Sequence, residues 1–416
     1  MHLILRARSV WPVSAAAIDN GAVALSGNRI AAVGPWRQLS AGTSTRVVDL
    51  GDVILLPGLV NAHCHLDYTH MAGQFPPPKA FSDWLKLITS TKAGWDLADY
   101  AASWKDGAAM LTRTGTTTVG DIEAVPELLP QAWRTTPLRV ISFLELIGIT
   151  QRRPPATILQ DALLHGARLR HPRCRLGLSP HAPYSTLPEL LRLSSGAARR
   201  KNWPLCTHVA ESALEFAMFT EAKGDMYEWL RRSGRDMSDC GLGSPVQHLE
   251  RHGMLQPRLV AAHVNHLRRG DASLLARRGV SVVHCPRSYE YFRHEGFSLK
   301  LLARAGVNVC LGTDSLASVL KHRRHAVELN LFEEMRVLAQ REPWLSLRTI
   351  VRMGTLHGAR ALGLAGKIGE ITPGAWADLI ALPSSGRTRS VAETVLEHTG
   401  PISASMIDGR WALPPS

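Results

Sequence analysis

Apolar and polar residues alternate in short runs at both ends of the chain. In "GAVALSGNRIAAVGP", two alternating runs flank Gly27-Asn28, a dipeptide typical of a hairpin turn. A similar pattern returns near the end, in "GKIGEITPGAWADLIALP" and "SASMIDGRWAL". These β-rich ends predict one small composite β-sandwich domain, built from residues 1–55 and 365–416.

The middle of the chain alternates apolar runs of strand length with stretches of helical periodicity. Helical stretches include "ADYAASWKDGAAMLTRTG" and "LPELLRLSSGAARRKN". The alternation predicts an α/β fold, a (β/α)8 TIM barrel over residues 56–364. The alternative is an open doubly wound sheet, but the Gly-rich turn typical after its first strand is missing. The predicted barrel strands are 54–62, 116–122, 139–146, 175–179, 205–209, 259–264, 280–285 and 308–312.

Composition narrows the class of protein. The 416 residues are 45% hydrophobic and 20% charged, which is typical of a globular protein. No apolar run reaches about 18 residues, so we expect no transmembrane helix and no membrane partner. Arg6 and Arg8 interrupt the apolar N-terminus, which argues against a signal peptide. The six cysteines form no C-x-x-C pair, as expected for reduced core thiols in a cytoplasmic protein.

The net charge of +13 raises the question of a nucleic-acid partner. Arginine is spread along the chain, however, in no more than short pairs such as Arg199-Arg200 and Arg268-Arg269. No basic stretch is interleaved with aromatic residues. We therefore expect a basic, arginine-rich surface and no nucleic-acid partner.

Histidines recur where the predicted strands end. In "NAHCH", residues two apart on a strand point to the same side, so the first pair of imidazoles shares one face. A lone strand-end histidine is more often structural than a ligand, but a set of them at one barrel mouth is typical of a metal site. Imidazoles with a carboxylate suit Zn²⁺, with Fe²⁺ as the alternative. The set is His63, His65, His181, His208, His263 and His284, together with Asp314.

Several motifs together resemble the amidohydrolase superfamily, most closely its deaminase and chlorohydrolase branch. They are "PGLVNAHCH", "HVAES", "AAHVNHL", "LGTDSLAS" and "GEITPGAWADLIAL", in this order along nearly the whole chain. The resemblance implies a metal-dependent barrel with a composite β-sandwich. It further implies that His63, His65, His208 and Asp314 hold one divalent metal ion. Relatives are often homodimers, so a homodimer is possible here.

The resemblance also implies catalytic roles. A metal-bound hydroxide attacks the substrate, and Asp314 binds metal and accepts the proton of the water. Glu211 carries a proton to a ring nitrogen and then to the leaving group, which requires a raised pKa. His263 hydrogen-bonds the attacking hydroxide or the developing oxyanion.

A single metal ion is expected. Relatives with two metals commonly bridge them with a carboxylated lysine on strand four, yet no lysine lies between Lys105 and Lys201. Glu145 remains open as a carboxylate bridge to a second metal, although a role as an ion-pair partner is the more common one for such a residue.

Four residues are candidates for substrate binding. His181, in "HAPYST", resembles a histidine that contacts substrate in the deaminase branch. Asp67 lies on the loop after the first barrel strand, and Trp84 lies on the following helix, where core packing is the alternative. Arg287 follows strand seven and either grips a substrate carboxylate or pairs with a nearby acid.

The predicted reaction is hydrolytic deamination with release of ammonia. The ribose-binding glutamate of methylthioadenosine deaminases is absent from "TSTKAGWD", and "HCPRSYEYF" departs from their H-N-P-x-S-N motif. The latter is more similar to aminodeoxyfutalosine deaminases, so we expect an adenine-type nucleoside such as aminodeoxyfutalosine. The alternatives are a chlorohydrolase or a cyclic amide or imidazolone hydrolase using the same metal, and a non-enzymatic scaffold on an inherited barrel.

Overall fold

A computed structural model describes residues 2–40, 46–321, 327–384 and 390–415. Within these residues, sixteen strands form two sheets. In chain order the strands are β1 (His2–Val10), β2 (Ile18–Ser26), β3 (Arg29–Pro35), β4 (Arg46–Asp49), β5 (Val53–Pro57), β6 (Leu59–Cys64), β7 (Thr116–Glu123), β8 (Arg139–Leu146), β9 (Cys174–Pro180), β10 (Leu205–Val209), β11 (Leu259–His263), β12 (Ser281–His284), β13 (Asn308–Leu311), β14 (Leu379–Pro383), β15 (Ala404–Ile407) and β16 (Arg410–Leu413).

Helices connect most of the strands. Short 3₁₀ turns cover Leu66–Met71, Pro126–Leu128, Pro183–Ser185 and Leu316–Ser318. The α-helices are α1 (Trp36–Leu39), α2 (Phe81–Lys92), α3 (Leu97–Arg113), α4 (Leu129–Thr135), α5 (Pro155–Ala167), α6 (Pro188–Lys201), α7 (Ala213–Glu221), α8 (Asp225–Arg232), α9 (Pro245–Arg251), α10 (Asp271–Arg277), α11 (Pro286–Tyr291), α12 (Leu299–Arg304), α13 (Leu331–Arg341), α14 (Leu347–Met353), α15 (Leu356–Ala361) and α16 (Val391–Glu397).

The predicted (β/α)8 barrel is confirmed. Strands β6 to β13 follow one another round the sheet in chain order, and each pairs in parallel with the next. All eight are almost wholly buried, as expected for parallel strands covered by helices.

The barrel closes between its first strand, β6, and the residues that follow its last strand, β13. The backbone N–H of Thr313 donates to the carbonyl of His63 at 3.1 Å, and that of His65 donates to the carbonyl of Asp314 at 3.3 Å. The buried side chain of Asn61 seals the same seam, because it donates to Thr313 Oγ1 at 2.7 Å and accepts from Thr313 N at 3.1 Å. Closure thus brings residues about 250 positions apart in the chain into direct contact.

The second sheet combines both termini, as the alternating ends predict. Its order is β16-β15-β14-β5-β1-β2-β3, with β4 paired to β1. The hairpin turn predicted at Gly27-Asn28 joins β2 and β3. A separate apolar cluster from the two termini, including Leu5, Val23 and Leu379, fills its core. The limits of the two domains remain a prediction.

The predicted strand over 54–62 is wrong as a single element. The chain forms β5 in the mixed sheet and then β6 in the barrel, so one apolar run serves two sheets. The break lies at Gly58, where a Cβ atom would stand 2.1 Å from Thr117 Oγ1. Only glycine allows the chain to pass so close to β7 as it changes sheets.

A buried ion pair joins the barrel to the mixed sheet. Arg139, the first residue of β8, donates to Asp378 at 2.5 and 3.2 Å and to Asp408 at 2.8 Å. Its guanidinium also lies 3.9 Å from the ring centre of Trp376. Charged and aromatic groups therefore fix the two sheets relative to each other at this point.

Two expectations from composition can be compared with the structure. All six cysteines are buried, free thiols. None of the helices in the described part of the chain is long and apolar enough to cross a bilayer.

We expect Asp378→Asn to destabilise the fold by about 3 kcal/mol, because it removes the main counter-charge of a buried guanidinium. The matched control is Asp49→Asn, which breaks the exposed Arg6–Asp49 pair at 2.9 Å. That change should cost less than about 1 kcal/mol. Urea unfolding of both variants is the measurement, and equal costs would contradict a joint role for Arg139 and Asp378.

Candidate metal centre and active site

Four buried side chains with metal-binding atoms meet at the carboxyl end of the barrel. Three of them lie on β6, β10 and β11, and the fourth lies in the turn after β13. Four separate strands therefore position them. The ligand atoms of these residues all lie within 4.8 Å of one another. The residues are His63, His208, His263 and Asp314.

His65 joins the same group from the end of β6. Its Nε2 lies 3.2 Å from His208 Nε2 and 3.6 Å from Asp314 Oδ1, and His63 Nε2 is also 3.6 Å from that oxygen. Two nitrogens that each lie about 2.0–2.1 Å from one tetrahedral ion are about 3.3 Å apart. The spacing of these side chains therefore fits a single divalent ion.

The imidazole nitrogens also have the hydrogen bonding that metal ligands need. Nδ1 of His208 donates to the carbonyl of His181 at 2.9 Å, which leaves the Nε2 lone pair facing the group. Nε2 of His63 and Nε2 of His263 are buried without a hydrogen-bond partner among the described residues. Burying such polar atoms unpaired costs free energy that a bound cation would offset.

Asp314 is held by two serines. Its Oδ2 accepts hydrogen bonds from Ser288 Oγ at 2.6 Å and Ser318 Oγ at 2.9 Å, so Oδ1 alone faces the histidines. Burial acts to raise the pKa of this carboxyl, but the nearby imidazoles of His63, His263 and His65 favour its ionised form and hold the pKa well below its usual value. The carboxylate is therefore ionised across the physiological range.

The backbone at the strand ends is strained. Non-glycine residues with positive φ cluster there, a conformation that costs of order 1–3 kcal/mol and persists only where the surroundings impose it. The values are 51° for Ala210, 70° for His263, 52° for Val264 and 54° for Asp314. The fold thus holds the candidate site in a conformation that local preferences disfavour.

Glu211 lies beside His263, with its Oε1 3.6 Å from His263 Nε2. Burial raises the pKa of Glu211 well above its usual value, and the charges of Asp314 and Glu215 raise it further. Burial also lowers the pKa of His263 to about 3, so its ring is neutral. Burial therefore favours the neutral form of both side chains, which lie next to each other.

A cavity of about 100 Å³ opens over this group. One face of α2 forms its roof, since Phe81, Trp84, Leu85, Ile88, Thr89 and Lys92 recur at helical spacing along that wall. The face is aromatic where α2 begins and polar where α2 ends. The remaining lining residues are His65, Tyr68, Glu145, Ile147, His181, Tyr184, His208, Glu211, Asp314 and Ser315.

The polar wall of the cavity is a chain of charged groups. Lys92 Nζ donates to the hydroxyl of Tyr68 and lies 3.9 Å from Glu145 Oε2. Glu145 Oε1 in turn lies 4.0 Å from His181 Nε2. Glu145 is therefore an ion-pair partner, which is one of the two roles that the sequence left open for it. It does not belong to the group of close metal-binding atoms.

Two of the four predicted substrate residues line the cavity and two do not. His181 and Trp84 are lining residues. Asp67 is 1% exposed and does not line the cavity, and neither of its carboxyl oxygens has a hydrogen-bond partner among the described residues. It lies two residues after His65, in the 3₁₀ turn over Leu66–Met71, where its side chain is buried.

Arg287, which the sequence predicted as a substrate-binding residue, does not line the cavity either. Its Nε donates to Glu334 at 2.6 Å, one terminal nitrogen donates to Glu333, and the other donates to the carbonyl of Glu328 at 2.9 Å. All three guanidinium nitrogens are therefore occupied within the fold. The alternative, an arginine paired with nearby acids, is the one observed.

His284 is also separate from the metal-binding group. Its ring stacks on Phe297, with centroids 3.8 Å apart and planes 3° from parallel. Its ring is thus taken up by packing against Phe297, outside the group of close metal-binding atoms.

Sequence reasoning missed Lys92 and Ser318. The signal for Lys92 was present, since it lies eight residues after Trp84 on the same helical face. Ser318 had no such signal, because its contact with Asp314 depends on the 3₁₀ turn over Leu316–Ser318.

Sequence comparison with known proteins adds three findings. A sequence profile of the amidohydrolase family matches residues 54–412. The chain is 34% identical over 380 residues to 5-methylthioadenosine/S-adenosylhomocysteine deaminase of Syntrophobacter fumaroxidans, covering 88% of this chain and 80% of the relative. It is 30% identical over 359 residues to aminodeoxyfutalosine deaminase of Deinococcus radiodurans, covering 82% and 81% respectively.

Among solved structures, an adenosine deaminase from Xanthomonas campestris with bound zinc superposes with a TM-score of 0.85 at 27% identity. The match covers 99% of this chain and 92% of that one.

Metal content of two variants distinguishes the possible ligand sets. We expect the purified protein to hold about one divalent ion per chain, His65→Ala to lose it, and His263→Ala to retain it. The reason is that His65 Nε2 lies 3.2 Å from His208 Nε2 and 3.6 Å from Asp314 Oδ1, whereas His263 Nε2 lies 3.6 Å from Glu211 Oε1. Elemental analysis is the measurement. Loss of metal from His263→Ala with retention in His65→Ala would exchange the two roles.

Proposed function

The chain belongs to the amidohydrolase family, and from that premise we propose that it deaminates an adenine-type nucleoside such as aminodeoxyfutalosine and releases ammonia. The observation that carries the proposal is the buried carboxyl of Glu211 lining one cavity with His65, His208 and Asp314. A proton donor beside a metal-binding group is what removal of an amine from an aromatic ring requires.

The cofactor is a divalent metal ion, and we propose zinc. Imidazole and carboxylate ligands suit zinc, and the Xanthomonas campestris relative holds it. His63, His65, His208 and Asp314 would hold the ion. When bound, such an ion supplies Lewis acidity that brings the pKa of water down to roughly 7.

The protein groups divide the proton transfers between them. Oδ1 of Asp314 takes the proton from the attacking water, while the two serines hold Oδ2. Glu211 gives its proton to a ring nitrogen, which makes the ring carbon electrophilic, and then moves a proton to the departing amine. His263, which is neutral, holds the attacking oxygen by a hydrogen bond. Water is consumed and ammonia leaves, so the atoms balance.

The cavity wall supports a carboxylated nucleoside as substrate. With Arg287 occupied by Glu333 and Glu334, the cation that lines the cavity is Lys92. The aromatic end of α2 suits a further ring of the substrate. The cavity of about 100 Å³ is smaller than the roughly 300–1,000 Å³ typical of ligand pockets, so we propose that α2 moves aside as substrate enters.

The partner is a small-molecule substrate. A homodimer, the absence of a nucleic-acid partner and a cytoplasmic location remain predictions.

Glu211→Gln should lower turnover by about 10²-fold or more, because glutamine cannot donate and accept the proton. Ammonia release from aminodeoxyfutalosine, methylthioadenosine, 5'-deoxyadenosine and a chlorotriazine is the measurement. In the unaltered protein, kcat/KM should fall as pH rises through the raised pKa of Glu211, since only the protonated carboxyl donates.

Bound metal is the control, because Glu211→Gln should leave it in place. Unchanged turnover, or retention of the alkaline decline in the variant, would contradict the role of Glu211. Chloride release from the triazine without ammonia release from any nucleoside would favour a chlorohydrolase instead.

Lys92→Met should raise KM for aminodeoxyfutalosine by about tenfold and leave KM for 5'-deoxyadenosine nearly unchanged, since only the former carries a carboxylate. The matched control is Lys86→Met, on the exposed side of the same helix. An equal rise in KM for both substrates would show that Lys92 acts only through its contacts with Tyr68 and Glu145.

A further inference from the structure

A second and larger pocket lies at the opposite mouth of the barrel. Arg175 is the second residue of β9, Arg258 immediately precedes β11, and Trp203 lies two residues before β10. These are the amino ends of strands whose carboxyl ends face the metal centre. The pocket is therefore separate from the candidate active site.

The charged side chains that line this pocket are all positive. Its volume is about 640 Å³, and no aspartate or glutamate is among its lining residues. Ile141 and Leu362, from the apolar filling of the barrel, form part of the wall. The cations that line it are Arg170, Arg175, Lys201, Arg258 and Lys367, with His171 beside them.

These cations have no carboxylate partner. Among the described residues, none of the five forms an ion pair within 4.0 Å. Arg258 donates to the carbonyl of Asn202 at 2.7 Å, and Arg170 donates to that of Leu169 at 2.7 Å. Partial burial, followed by the charges of Arg139 and Arg258, lowers the pKa of Arg175. Backbone carbonyls and indole rings, but no carboxylates, are therefore the contacts of these cations.

Some arginines elsewhere on the surface are paired with acids. Arg6 contacts Asp49, Arg8 contacts Asp52, and Arg278 contacts Glu250. In this pocket, five cations lie around one concavity that no acidic side chain lines. A ligand of opposite charge would satisfy them.

We propose that this pocket binds a small molecule carrying two or more phosphate groups, of the nucleoside diphosphate type. Five cations supply the counter-charge, and the half-buried indole of Trp203, which has Lys201 Nζ 5.3 Å from its ring centre, forms the part of the wall against which a planar base would pack. The volume lies within the roughly 300–1,000 Å³ typical of small-ligand pockets. A single-stranded nucleic acid requires an extended groove with successive stacking platforms, whereas Trp203 is the half-buried aromatic side chain on this wall.

Calorimetric titration of the metal-replete protein with uridine diphosphate, inorganic pyrophosphate and uridine tests the proposal. Uridine diphosphate is chosen because it has no amino-substituted ring for the deaminase cavity. We expect the diphosphate and pyrophosphate to bind and uridine to bind at least tenfold more weakly. Tighter binding of the diphosphate than of pyrophosphate would assign a base contact, and equal binding would restrict the site to the phosphates.

Arg175→Gln/Arg258→Gln should weaken binding of the diphosphate by about tenfold or more. The control is Arg277→Gln, an exposed arginine on α10 that does not line the pocket. Lys367→Gln provides a second variant if the double variant unfolds, and deaminase activity reports on the fold of each. No binding, equal weakening by Arg277→Gln, or tighter binding of a twelve-residue oligothymidylate than of the diphosphate would overturn the proposal.

Discussion

The seam between the first and last barrel strands is the constraint on which the site depends. The carbonyl of His63 accepts a backbone hydrogen bond from Thr313, and the N–H of His65 donates one to the carbonyl of Asp314. The residues that close the barrel therefore also carry candidate ligands. Asn61 locks the seam by exchanging two hydrogen bonds with Thr313. An open sheet of the same strands would place Asp314 at one edge and the two histidines at the other. The metal centre is therefore a consequence of closure and not of local sequence.

Burial determines both the protonation of the side chains at the site and the free energy that the fold loses by holding them there. Removing Glu211 from water favours its neutral form, and removing His263 favours its neutral form, so one physical effect prepares both groups for their proposed roles. The same burial leaves the Nε2 atoms of His63 and His263 unpaired and holds Asp314 in a left-handed backbone. A folded chain keeps such features only where the surrounding barrel contributes enough stability to offset them.

Sequence periodicity predicted the barrel because its strands are buried on both faces. Residues 139–146 and 205–209 are strands with the predicted bounds. Periodicity could not divide the run over 54–62, since a buried strand has the same apolar pattern in either sheet. It could not pair Arg287 with Glu334 either, because the two are 47 residues apart and meet only through the packing of α11 against α13. The strand-end histidines were recognisable because the fold places every carboxyl end at one mouth.

The candidate metal centre and the cationic pocket lie at opposite mouths of the barrel, at the two ends of the same strands. β10 has five residues, which at ~3.3 Å per step separate its end residues by roughly 13 Å. Coulomb energy falls with distance, so a cation at the amino ends acts less on a group at the carboxyl ends than a direct neighbour at about 4 Å does. A parallel barrel thus separates the candidate metal centre from the cationic pocket by strand direction alone.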